Sequence, residues 1–122
     1  MAMQKLITEV SELVEKEYGR AGARFGLTNH SDHESYAIML EELEEAQADV
    51  ESLEKQMQIF WLFVKNNDSA DYKHERLMAV QRSALLAACE FIQVAAMAKK
   101  AALTLCDREA LSEICNADVM PN

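Results

Sequence analysis

Four polar side chains carry the first chemical signal in this 122-residue chain. Glu42 and Glu45 stand three apart in "LEELEEAQAD", and Glu90 and Gln93 stand three apart in the apolar run "ALLAACEFIQVAAMA". Three residues is nearly one helical turn, so each pair shares a helix face. A carboxylate left unpaired in an apolar setting costs several kcal/mol, roughly, unless it takes up a proton or meets a cation. Carboxylate and amide oxygens, with neither His nor Cys among them, are hard ligands that favour Mg²⁺, or Mn²⁺, over zinc or copper. Bound Mg²⁺ usually keeps open positions that accept phosphate oxygens, so the chemistry such a group suits is that of polyphosphates.

The acidic residues of this region do not form one patch. Taking Leu43 as the inward direction, about 100° per residue places Glu42, Glu45 and Asp49 on one flank. Glu44 and Glu51 fall on the other, and Glu41 lies near the back. Glu44, Glu51 and Glu54 read as an ordinary solvated face.

Two helices must position these pairs. The capping pattern Ser31-Asp32-His33-Glu34 opens a helix that runs to about Lys65. Its apolar seam is Tyr36, Met39, Leu43, Ala46, Val50, Leu53, Met57, Phe60 and Val64. Alternating steps of three and four mark a helix packed lengthwise on another. "NNDS", Asn66 to Ser69, is turn chemistry, and a further helix is expected from Tyr72 to Leu105. Folding back at that turn sets Glu42/Glu45 and Glu90/Gln93 at the same height, each about 36 Å along its helix at about 1.5 Å per residue.

Outside this core hairpin, about 32–105, the spacing of Leu6, Val10, Leu13 and Val14 predicts a helix over Gln4 to Tyr18, ending at Gly19. "GRAGARFGLTNHS" holds all three glycines and reads as a long loop. Asp107 is expected to cap a short last helix from Arg108 to Ile114. The expected fold is a single all-α domain over 1–122. It is an antiparallel bundle of two long and two shorter helices, completed by self-association to a dimer or tetramer.

Composition narrows the partners. A net charge of −9 makes nucleic acid and anionic membrane poor partners. Three cysteines, with no CxxC, argue against a disulfide framework. The opening "MAMQKLITEVSELVEKEYG" places Glu9, Glu12 and Glu15 where a leader needs an apolar run. The run Ala84 to Ala98 is shorter than the ~20 residues that span a bilayer. A cytoplasmic setting is expected. A di-iron bundle would need Glu-x-x-His, which does not occur in this sequence.

The pattern E-E-x-x-E through Glu41, Glu42 and Glu45, followed by the E-x-x-D-like pair Glu90/Gln93, resembles the MazG-like all-α nucleoside triphosphate pyrophosphohydrolases. "SDHESYAIMLEELEEAQADVESLEKQ" and "FIQVAAMAKKA" look like their short, phage- or prophage-type members, and the likeness covers roughly Phe25 to Ala102. It implies a helical oligomer that uses Mg²⁺ to hydrolyse nucleoside triphosphates to the monophosphate and pyrophosphate. By position it assigns the metal to Glu42, Glu45, Glu90 and Gln93, with Glu41 or Glu45 orienting the attacking water. Arg82 and Lys100, on the Gln93 side of their helix, and Arg24, with Arg20, in the glycine stretch are the expected phosphate contacts. Trp61 or Phe25 would stack on a base. Gln93 stands where the family usually has Asp. That departure keeps open an alternative: a degenerate helical oligomer that binds nucleotide, or a protein partner, without turnover.

Overall fold

The computed structural model describes residues 2–109, with side chains through Cys106. Three helices account for almost all of it: α1 Ala2–Phe25, α2 Asp32–Lys65 and α3 Ala70–Glu109. No strand occurs among the described residues. The all-α expectation therefore holds. Residues 110–114, most of the expected last helix, lie outside the described part, and Asp107 stands inside α3 rather than capping a new helix.

The largest departure is α1, which continues through Gly19 and Gly22 to Phe25. A helical glycine costs about 1 kcal/mol relative to alanine, which packing and local pairs can offset. Here Arg20 Nε donates to Glu17 Oε1 at 3.1 Å one turn back. The true stop is Gly26, whose φ of +94° is a left-handed conformation that suits glycine. Its N–H donates to Gly22 O at 2.8 Å, closing the helix end. The connection to α2 is thus short, and the glycine stretch is mostly helix.

The expected cap at Ser31 forms. Glu34 N–H donates to Ser31 Oγ at 3.1 Å, and His30 N–H donates to Glu34 Oε1 at 2.9 Å. The reciprocal bond thus falls one residue earlier than in the usual capping box. At the other end, Asn67 adopts φ 55°. Asp68 N–H reaches Phe63 O at 2.9 Å and Asn67 N–H reaches Val64 O at 3.1 Å. This is a Schellman closure with Asn in the left-handed position.

The chain falls into two compact units. The first combines α1, the chain through Glu42 and α3 from Ile92 onward; the second is Leu43–Phe91. In the first, Val14, Ala21, Ala96 and Met97 are buried, with Tyr18, Ile38, Met39 and Ile92 packed against them. Lys99 Nζ bridges to Glu15 at 2.7 Å and lies 5.4 Å from the centre of the Tyr18 ring. The loop before α2 is tied down by Asn29, whose N–H donates to Thr104 Oγ1 at 2.8 Å while its Nδ2 donates to Ser35 Oγ at 2.8 Å.

The second unit is an antiparallel hairpin folded at Asn66–Ser69, as expected. Ser52 meets Ser83 at 3.4 Å, Arg76 Nη1 donates to Gln56 Oε1 at 2.7 Å, and the Phe63 and Tyr72 rings stand 5.9 Å apart. Among its residues, only Ala46 and Ala87 are buried outright. The α2 seam divides in two. Ala46, Leu53 and Phe60 are buried or half-buried, whereas Leu43, Met57 and Val64 stand exposed.

Cys89 is free and exposed, whereas Cys106 is disulfide-bonded, a bond that the argument against a disulfide framework did not foresee. One segment, Ala70–Cys106, is long and apolar enough to cross a membrane by length and composition alone. It extends the apolar run beyond Ala84–Ala98, and the core helix of a soluble protein passes the same test.

Candidate metal centre and adjoining cavity

Glu42 and Glu45 sit one turn apart on α2, and Glu90 projects from α3. Ligand oxygens of the three lie within 4.8 Å of one another. Glu45 and Glu90 belong to the hairpin unit, and residues 45 and 90 are equally far from its turn. That equality follows from the fold-back point: once Asn66–Ser69 is the turn, the antiparallel direction fixes which residues meet. Glu42 and Glu90 are half-buried and Glu45 is exposed, so the group is open to solvent on one side. Both Glu42 and Glu90 also take part in further interactions with their surroundings.

The donor set fits a hard divalent ion. Bonds of 2.0–2.1 Å for Mg²⁺ or 2.3–2.6 Å for Ca²⁺ place ligand oxygens up to about 4–5 Å apart across the ion. The upper bound of 4.8 Å on the separation of these oxygens is compatible with such a site. Three carboxylates brought this close repel one another, and a divalent cation relieves that repulsion.

Gln93, the fourth residue assigned to the metal, is half-buried and lines a cavity of about 710 Å³ in the first unit. Glu41 and Glu42 line it as well, together with Arg20, His30 and Lys100. This volume is within the range of small-molecule sites. Lys100 is 5% exposed, so it is enclosed within the first unit. Arg20 is paired with Glu17, and this hydrogen bond and charge raise the guanidinium pKa above its ordinary value. Asn29 lines the same cavity, and its buried Oδ1 has no hydrogen-bond partner among the described residues.

The sequence-assigned residues therefore separate into three groups. Glu42, Glu45 and Glu90 converge. Glu41, Gln93 and Lys100 line the cavity. Arg24 and Arg82 do neither: the Arg24 guanidinium lies over the Phe25 ring at 5.1 Å, and Arg82 is exposed on α3 in the hairpin unit. Of the two proposed stacking residues, Phe25 lines the cavity while Trp61 is exposed in the other unit, with Lys65 Nζ 5.7 Å from its ring centre. Asn29 and Thr104 went unassigned from sequence. Polar residues beside a helix cap gave a local signal for Asn29, but its bond to Thr104 spans 75 positions and has no local signature.

Compared with known proteins, the chain matches no family model, no curated protein and no solved structure.

Proposed function

We propose that this protein is a Mg²⁺-dependent hydrolase that converts nucleoside triphosphates to the monophosphate and pyrophosphate. The observation that carries the reading is the convergence of Glu42, Glu45 and Glu90. The cavity that Glu42 also lines, with Gln93, Lys100 and Arg20, supplies room for a substrate and cationic groups for its phosphates.

When bound, the cation would neutralise negative charge on the phosphoryl oxygens and orient the triphosphate. The chain's own groups do the rest. Glu41, lining the cavity, or Glu45 takes a proton from a water, or orients it, as the water attacks the α-phosphorus. The bond from that phosphorus to the bridging oxygen breaks, and pyrophosphate leaves with the electron pair. Lys100 and Arg20 hold the phosphate tail while this happens.

The test is a panel of nucleoside triphosphates with Mg²⁺, with pyrophosphate and orthophosphate release measured separately. Pyrophosphate release is expected from the wild type, falling by more than about a hundredfold in Glu42→Gln, beyond the usual range for outer-shell changes at metal sites. Release of orthophosphate alone, or turnover unaffected by Glu42→Gln, would overturn the assignment.

Gln93 favours a second reading. An amide cannot act as a base and lowers the negative charge of the site, so a protein that binds the nucleotide without cleaving it fits the same geometry. In that case Mg²⁺ and nucleotide together protect the chain against melting with no pyrophosphate formed. Gln93→Asp then gains turnover, whereas an enzyme adapted to Gln93 does not.

A further inference from the structure

The first unit carries an apolar groove between α1 and α3. One wall is α1, where Met3, Leu6 and Ile7 are 63%, 52% and 41% exposed. The other is α3, where Ala95, Ala98 and Ala102 stand at helical spacing and face the groove. Their small side chains help to leave a hollow of about 710 Å³ rather than a flat face. Lys99 and Glu15 also line it, but they are bonded to each other. Apart from Ser11, the rest of the lining is apolar. At about 100° per residue, Cys106 falls within the arc that Ala95 to Leu103 present to the groove, one turn further along α3. Cys106 is half-buried and disulfide-bonded. Of the other two cysteines, Cys89 is free, and Cys115 follows Glu109, the last residue of α3.

We propose that residues 110–122 of this same chain turn back and occupy the groove, tethered to Cys106 through Cys115. Their composition suits it. Leu111, Ile114, Val119 and Met120 are apolar, and an unbranched methionine fills irregular gaps well. Their reach suffices as well. A disulfide needs Cα atoms about 4.4–6.8 Å apart. Residues 110–115 span up to about 20 Å when extended, against about 4.5 Å of helix from Cys106 to Glu109. Residues 116–122 span up to about 23 Å, whereas the α3 wall from Cys106 back to Ala95 is about 16 Å long. Closing the bond takes two protons and two electrons from the two thiols, and an external disulfide accepts them by exchange. The tether then holds the segment at an effective concentration in the mM range, so weak apolar contacts are enough to seat it.

Exposed apolar side chains occur elsewhere, Met78, Leu85 and Leu86 among them. The groove is singled out by its concavity and by the bonded cysteine that continues its α3 wall. A second copy of the chain, or a free apolar ligand, is the competing occupant. Either must arrive from solution at its own concentration, whereas the tethered segment is already beside the groove.

The experiment uses the full chain purified without reductant. Methyl-labelled protein is expected to show nuclear Overhauser contacts from Val119 and Met120 to Leu6 and Ile7. Before reduction only Cys89 reacts with iodoacetamide, and peptide mapping joins Cys106 to Cys115 in a species of the single-chain mass, 13.8 kDa. The double variant Val119→Glu, Met120→Glu is expected to raise the fluorescence of the apolar dye anilinonaphthalene sulfonate at least about twofold, with helicity retained by circular dichroism. Adding Leu6→Glu cancels the rise, which assigns it to the groove. If Leu6→Glu loses helicity, Leu6→Ser serves instead. Absence of the methyl contacts overturns the proposal, and so does dye fluorescence equal in the wild type and the double variant. A Cys106 bond that joins two chains, seen as a doubled mass that reduction halves, overturns it in favour of a second copy. So do contacts seen only between differently labelled chains. None of these readouts uses nucleotide or Mg²⁺, so the result stands apart from the proposed hydrolysis.

Discussion

The two units of this protein are built from the same kind of helix but differ in how many helices cover each face. In the first unit, segments of all three helices contribute, and Val14, Ala21, Ala96 and Met97 are withdrawn from water. The hairpin unit has two helices, and the residues it buries outright are Ala46 and Ala87. Several of its larger apolar side chains, among them Met57, Trp61, Leu85 and Phe91, are exposed. The difference teaches that apolar patterning and burial are separate properties. A helix can carry a perfect seven-residue stripe and still expose it until another surface arrives, because most helical stability comes from packing of that stripe.

Truncating one methionine in each unit gives the sharpest break in this comparison. Met97→Ala is expected to destabilise the chain by about 2–4 kcal/mol, the usual range for a buried large-to-small change. Urea melts followed by circular dichroism measure it. Met57→Ala removes the same atoms from an exposed site. Its cost should stay within about 0.5 kcal/mol. Equal costs for the two would mean that the two methionines are covered alike.

The turns offer a smaller test of the same contrast. Gly26 closes α1 at φ +94° and Asn67 closes α2 at φ 55°. Gly26→Ala puts a side chain into the left-handed region and should cost about 1–2 kcal/mol. Asn67→Gly relieves a mild strain and should change stability by less than about 1 kcal/mol, since asparagine tolerates this conformation. Thermal melting of both variants at one protein concentration resolves the pair.

The smallest effect belongs to the ion pair of the first unit. Lys99 and Glu15 are partly exposed, so Lys99→Met should cost no more than about 1 kcal/mol, and less at high salt. A larger loss would trace instead to the Lys99 ammonium held 5.4 Å from the centre of the Tyr18 ring.

Much of the helix plan was legible in the chain because its signals are local. Ser31 and Glu34 cap α2, "NNDS" turns the hairpin, and the pairing of Glu45 with Glu90 follows from counting outward from that turn. The end of α1 was not legible in the same way. Gly19, Gly22 and Gly26 look alike in sequence, and only the left-handed backbone at Gly26 distinguishes the one that stops the helix. Leu27 shows the consequence: its side chain sits where a Cβ on Gly22 would fall, 2.3 Å away.

The candidate site divides along the same line. The chain by itself determined that Glu42 and Glu45 share a helix flank, since 3.6 residues per turn leave them no choice. It also fixed the height at which Glu90 meets them, once the turn was placed. Which cations join the carboxylates was a tertiary decision. Lys100, Arg24 and Arg82 were equivalent candidates by charge, and only packing sent Lys100 into the cavity lining while Arg24 settled over Phe25 and Arg82 remained in solvent. The seam of α2 was likewise one stripe in sequence. The folded hairpin split it, because a single neighbouring helix covers Ala46, Leu53 and Phe60 and leaves Leu43, Met57 and Val64 exposed.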